Sequence, residues 1–95
     1  MNKRILVTGA AGFVGRRLVR FMLEKGYDVV AVDNIAPLTG GIDPNQGWPL
    51  YSPKDYKNFT FHKIDCRDWF TKNLDQKFEY VFHLAAMVGG REIIE

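Results

Sequence analysis

Lys3-Arg4-Ile5-Leu6-Val7-Thr8-Gly9-Ala10-Ala11-Gly12-Phe13-Val14-Gly15 opens as a short apolar run rich in β-branched residues and breaks at Gly9 into a stretch with a glycine at every third position. Such a run closed by glycine reads as a strand followed by a tight turn. From Phe13 onward apolar residues recur at helical spacing (Val14, Leu18, Phe21, Met22) with Arg16, Arg17, Arg20 and Glu24 between them, until Gly26 offers a stop. Tyr27-Asp28-Val29-Val30-Ala31-Val32 is a second, nearly continuous apolar run, as expected of a strand covered on both faces, and it ends at Asp33-Asn34. The unit is therefore β-α-β. Its crossover is expected to be right-handed, so the two strands lie parallel with the helix on one face.

Outward from this unit the pattern changes. Between residues 35 and 58, Pro37, Gly40, Gly41, Pro44, Gly47, Pro49 and Pro53 interrupt every helical window, while Trp48, Leu50, Tyr51 and Tyr56 supply apolar anchors. This reads as a long ordered loop, a length that points to a cofactor-flanking loop or an insertion. Phe59-Thr60-Phe61-His62-Lys63-Ile64 alternates as a third strand ending at Asp65, Asp68 to Asn73 is expected to be a short helix, and Tyr80-Val81-Phe82-His83-Leu84 is a fourth strand. Ala85 and Ala86 follow, then Gly89-Gly90 and a tail that reads as the start of another helix. With no repeat or linker, residues 1–95 are expected to form one domain, an α/β fold with a Rossmann-type parallel sheet.

Composition narrows the class. The chain has 95 residues, 46% hydrophobic and 25% charged, which is globular rather than disordered. Lysine and arginine number 13 against 11 aspartates and glutamates, and the cations are scattered, so no nucleic-acid footprint is visible. Cys66 is the single cysteine and cannot form an internal disulfide, and no secretory signal or membrane-length apolar run is present. A cytoplasmic protein without membrane or nucleic-acid partners is the expectation.

A strand, a turn holding Gly9, Gly12 and Gly15, and a helix form the setting in which glycines bind a dinucleotide. The first permits the turn, the second lets backbone amides approach the pyrophosphate, and the third allows helix and strand to pack closely. The acidic residue expected about 20 positions further on is Asp33, at a strand tip where a carboxylate can accept from ribose hydroxyls. An NADP site would place a cation there, so Asp33 favours NAD over NADP. The plainer alternatives are a βα turn without a ligand and a turn-forming Asp33-Asn34 pair.

Thr8-Gly9-Ala10-Ala11-Gly12-Phe13-Val14-Gly15 resembles the TGxxGxxG signature of short-chain dehydrogenases, in the form typical of the extended branch that works on nucleotide sugars. Asp65-Cys66-Arg67-Asp68 is similar to that branch's Asp-x-Arg-Asp segment, and His83-Leu84-Ala85-Ala86 to its His-x-Ala-Ala segment. The resemblance implies NAD as cofactor and a Rossmann-type sheet of strand order 3-2-1-4 with helices on both faces. It implies cofactor contacts from Gly9, Ala11, Gly12, Phe13, Val14 and Gly15, from Asp33 and Asn34, from Asp65 and Cys66 at the adenine, and from Leu84, Ala85 and Ala86 near the nicotinamide. Each later segment also has a structural reading: Asp65, Arg67 and Asp68 as a helix cap with an ion pair, Ala85-Ala86 as small residues under a helix, His83 as a hydrogen-bonded core histidine, and Cys66 as a small buried hydrophobe. Phe13, Phe21 and Met22 are expected in the core.

The family's hydride transfer uses a Tyr-xxx-Lys pair. Here Tyr27, Tyr51, Tyr56 and Tyr80 are followed at that spacing by Ala31, Asp55, Thr60 and Leu84, so no catalytic residue is assigned, and no metal ligands either. The resemblance covers the whole chain but only the front part of a family member, so the fold is expected to be truncated and a nucleotide sugar to be a partner only of the complete enzyme. Strand four would then be an exposed edge prone to self-association. The rival expectations are a stand-alone NAD-binding or regulatory module and a Rossmann-type domain for another nucleotide ligand.

Overall fold

The computed structural model of the chain describes residues 3–35, 41–49 and 51–84. Strands β1 (Arg4–Thr8), β2 (Asp28–Asp33), β3 (Phe59–Lys63) and β4 (Tyr80–His83) form one parallel sheet in the order β3-β2-β1-β4. Helix α1 (Phe13–Glu24) connects β1 to β2, and α2 (Cys66–Lys72) connects β3 to β4. The expected sheet order is thus the one observed.

Alternation along the two central strands divides the core in two. Ile5 and Val7 of β1 and Val29 and Ala31 of β2 face α1, where Val19, Leu23 and Trp48 complete the packing. Leu6, Val30 and Val32 face the other way, onto Trp69 of α2. Both faces being covered explains why the two strand segments read as unbroken apolar runs. Each such aliphatic side chain contributes about 1.5–3 kcal/mol by leaving water.

The inward face of α1 differs from the expected one. Gly15, Val19 and Leu23 are the buried residues, whereas Val14, Phe13 and Phe21 are 60%, 62% and 52% exposed. Phe13 and Phe21 are therefore not core residues, and Met22 is only partly buried against the core. The cause is steric: Gly15 is the point where the helix touches the glycine turn, and that contact fixes the helix rotation. The rings left outside are covered by cations, Arg17 over Phe13 at 4.5 Å and Lys25 over Phe21 at 4.8 Å. At its far end α1 closes through Gly26 N–H to Leu23 O and Tyr27 N–H to Met22 O.

One further expectation gains detail and another shifts. The long loop has structure of its own, 3-10 turns at Pro44–Gln46 and Pro53–Asp55, and it is anchored by buried Trp48, whose indole N–H donates to Ile42 O at 2.7 Å. Helix α2 begins at Cys66, ahead of Asp68, because Asp65 caps it by accepting from Arg67 N–H. The helix expected after Gly89-Gly90 lies outside the described residues. On β4, Tyr80 and Val81 are about half exposed.

A Cβ placed on Gly15 would stand 2.2 Å from Gly9 O and 2.7 Å from Ala10 Cα, both backbone atoms, whereas one on Gly12 would meet only Gly9 O at 3.5 Å. Gly15→Ala is expected to lower the stability measured by urea unfolding by about 1–3 kcal/mol or more, as overpacked sites do. Gly12→Ala should stay within about 1 kcal/mol of the parent.

Candidate functional site

Parallel register brings the carboxyl ends of all four strands to one edge: Thr8 pairs with Val32 and with His83, and Asp33 with Lys63. The chain leaves β1 toward β2 on one side and returns to β4 on the other, so the crevice at the end of β1 is a topological switch point, where open α/β sheets bind ligands. Gly9 opens this crevice with φ +71°, a left-handed conformation that glycine adopts without a Cβ clash.

Hydrogen bonds within the chain hold the whole turn. Gly9 and Ala10 N–H donate to Val32 O, Ala11 N–H to Asp33 Oδ2 at 2.9 Å, and Gly12 N–H to Gly9 O. The Ala11 carbonyl accepts from Arg16 Nη1 at 2.7 Å and from Ile42 N–H at 3.1 Å. Beyond Gly12, the N-cap, helix α1 starts with no side-chain cap and no acidic residue in its first turn. The first-turn amides at Phe13, Val14 and Gly15 have no acceptor within the helix, and they sit at the positive end of its dipole. Such an end is suited to an anion.

Asp33 stands beside this turn with only 9% of its surface exposed. Its Oδ1 accepts from Ile35 N–H at 2.7 Å, and exposed Asn34 lies between. Ile64 N–H donates to Asp33 O, so the start of α2 is tied to the same strand tip. There the Arg67 guanidinium, 3.2 Å from Asp65 Oδ1, and the Arg67 backbone N–H hold the Asp65 carboxyl below its ordinary range. Burial, and secondarily the charge of Asp65, push the Cys66 thiol up, and Cys66 is only partly buried against the second core. Leu84 N–H donates to Thr8 O at 3.0 Å, which places Leu84 beside the end of β1. Ala85 and Ala86 lie outside the described residues.

His83 departs from expectation in one respect. Its Nδ1 is 2.7 Å from the Oγ1 of buried Thr8, so it is hydrogen-bonded, but it is the last residue of an edge strand and exposed rather than in the core. Arg16, Ile35 and Ile42 were not legible as parts of the site, because nothing in their spacing marks a bond to a distant peptide group. Thr8 was legible only as the first letter of the glycine signature. Tyr51 donates its hydroxyl to Arg16 O, and burial pushes its phenol well above the ordinary range, so it stays protonated. Among the described residues no group of His, Cys, Asp and Glu could hold a metal ion, and no helix is long and apolar enough to cross a membrane.

A parallel sheet with a glycine turn at its switch point, an uncapped helix end above it and a carboxylate at the next strand tip defines the class of βαβ nucleotide-binding folds. Residues 5–93 match the model of the NAD dependent epimerase/dehydratase family, and the chain belongs to that family. It is 37% identical over 94 residues to UDP-glucuronate 4-epimerase of Thermodesulfobacterium geofontis, covering 95% of this chain and 28% of that protein. UDP-glucose 4-epimerase of Mycolicibacterium smegmatis is also 37% identical, over 97% of this chain and 28% of its own length. Among solved structures, an epimerase of Methanothermobacter thermautotrophicus superposes with a TM-score of 0.67 at 32% identity, covering 88% of this chain and 23% of that one. UDP-glucuronic acid 4-epimerase of Bacillus cereus in complex with NAD gives 0.66 at 34% identity, over 85% and 26%. The chain thus spans little more than a quarter of the relatives it matches.

The Asp65–Arg67 contact is testable by NMR titration. A depressed folded-state midpoint means that the contact stabilises the fold above the ordinary carboxylate range and that this contribution is lost as pH falls through the folded midpoint. The Asp65 midpoint is expected below that of an ordinary aspartate and should rise in Arg67→Ala.

Proposed function

We propose that this chain binds NAD across the Gly9–Gly15 turn and is the cofactor-binding front part of a nucleotide-sugar epimerase or dehydratase. The observation that carries the reading is the contrast among the three glycines. Gly9 is required by its positive φ and Gly15 by its contact with the turn, whereas Gly12 has an extended backbone (φ −76°, ψ 176°) and room for a Cβ inside the protein. A glycine that its own fold does not demand, placed where uncapped helix amides begin, suits the close approach of a pyrophosphate from outside. Asp33, at the adjacent strand tip, retains acceptor capacity for ribose hydroxyls and would set like charges against a 2′-phosphate, which favours NAD over NADP.

Asp65 and Cys66 would flank the adenine end, and Leu84 with Ala85 and Ala86 the nicotinamide end. Bound NAD would supply the acceptor for a hydride leaving the carbon that bears a sugar hydroxyl. The residues of this chain bind and orient. The proton transfer needs a Tyr-xxx-Lys pair that residues 1–95 do not contain, so the nucleotide sugar and its chemistry belong to the complete enzyme. Self-association is a second part of the reading, supported by half-exposed Tyr80 and Val81 on β4, which has no neighbour beyond it among the described residues.

Titration calorimetry tests the site. The parent chain should bind NAD more tightly than NADP, and Gly12→Val should keep its circular dichroism while losing about a hundredfold or more in NAD affinity, the scale of two charge-assisted hydrogen bonds. Parental affinity in a folded Gly12→Val chain would refute the assignment. Sedimentation velocity tests the edge: the chain should run as dimers or larger species, and Val81→Lys should shift it toward monomer, at small packing cost because Val81 is 51% exposed.

A further inference from the structure

Asp33 is nine-tenths buried, and both of its carboxylate oxygens are engaged without any ligand. Oδ2 accepts from the buried Ala11 N–H at 2.9 Å and Oδ1 from Ile35 N–H at 2.7 Å. Ile35 is the one described non-glycine residue with positive φ, at 54°. A β-branched side chain rarely adopts that conformation, so something must hold it there, and the bond from its own N–H to Oδ1 is positioned to do so. The Ala11 peptide is gripped from its other side as well, its carbonyl accepting from Arg16 and Ile42. One carboxylate therefore joins the glycine turn, the tip of β2 and the chain that leaves it.

We propose that Asp33 is a positioning residue for the phosphate-binding turn, fixing the Ala11 peptide and the left-handed Ile35, in addition to any contact it makes with a ribose. The two roles are compatible, since a carboxylate offers about four lone-pair sites and two are used among the described residues. Ala11 immediately precedes Gly12 and the first-turn amides. Freeing its N–H would loosen the segment that presents those amides, so the loss of Asp33 reaches a ligand's phosphates even where the ligand has no ribose hydroxyl. Exchanging Asp33 to change cofactor preference would then weaken binding of either cofactor.

The ligand half of this inference rests on the NAD reading, and the backbone half does not. Amide hydrogen exchange on the free chain is expected to quicken at Ala11 and Ile35 by about tenfold or more in Asp33→Ala, with Leu6 and Val30 unchanged. Asp33→Asn, a nearly isosteric change, serves if the alanine variant fails to fold, and should release at least one of the two amides. Calorimetry with ADP and with 2′,3′-dideoxy-ADP completes the test, because a positioning role lowers affinity for dideoxy-ADP by about tenfold and for ADP by at least as much, any larger loss for ADP reporting the ribose contact. Unchanged exchange at both amides, or a loss confined to ADP, would overturn the proposal. If the parent chain binds neither nucleotide, the NAD reading falls, while the exchange data still decide whether Asp33 holds the turn.

Discussion

The close approach of α1 to the glycine turn constrains most of what surrounds it. At Gly15 the helix backbone lies so near Gly9 and Ala10 that no side chain fits between them. That contact sets the rotation of α1, sending Val19 and Leu23 into the sheet and leaving Val14 and Phe13 outside. It also sets the aim of the helix, since an axis fixed at Gly15 directs the amides at Phe13 and Val14 over the end of β1. The packing of α1 and the placement of its uncapped end share one steric cause.

Around this seat the site is built largely from backbone groups held by other backbone groups, with Asp33 and Arg16 as the side chains that intervene. Such a turn has its amides oriented by the fold itself, the kind of preorganisation that leaves little ordering to oppose binding. The loop after β2 takes part, since Ile42 N–H reaches the Ala11 carbonyl and Trp48 holds Ile42 in turn. Segment 41–49 is therefore a brace for the turn as well as part of the connection between strands.

The strands and the glycine turn were legible because they follow from local signals, namely apolar runs of strand length, a glycine break, and an acidic residue at the right distance, whereas the sheet order came from the family resemblance. Asp33 and Asp65 were legible for the same reason, each standing at the end of a strand pattern. The face of α1 was not. Val14, Leu18, Phe21 and Met22 have helical spacing, but the true inward line starts at a glycine, which carries no hydrophobic signal. The long loop was legible as ordered, with Trp48 among its anchors, but its two 3-10 turns were not, because the prolines and glycines that start and stop them read only as interruption. His83 was read as a core residue from its apolar neighbourhood in sequence, although the strand it closes was expected at the sheet edge, and its exposure follows from that edge position.

The division of the core gives each face of the sheet its own indole. Trp48 of the long loop sits among Tyr51 and Phe59 on one face, and Trp69 among Phe70 and Phe78 on the opposite face. Replacing either tryptophan by phenylalanine leaves a single tryptophan whose emission reports on one layer alone. Coincident transitions from the two single-tryptophan chains would mark the layers as one cooperative unit, and separate transitions would show that the central strands do not transmit order from one face to the other.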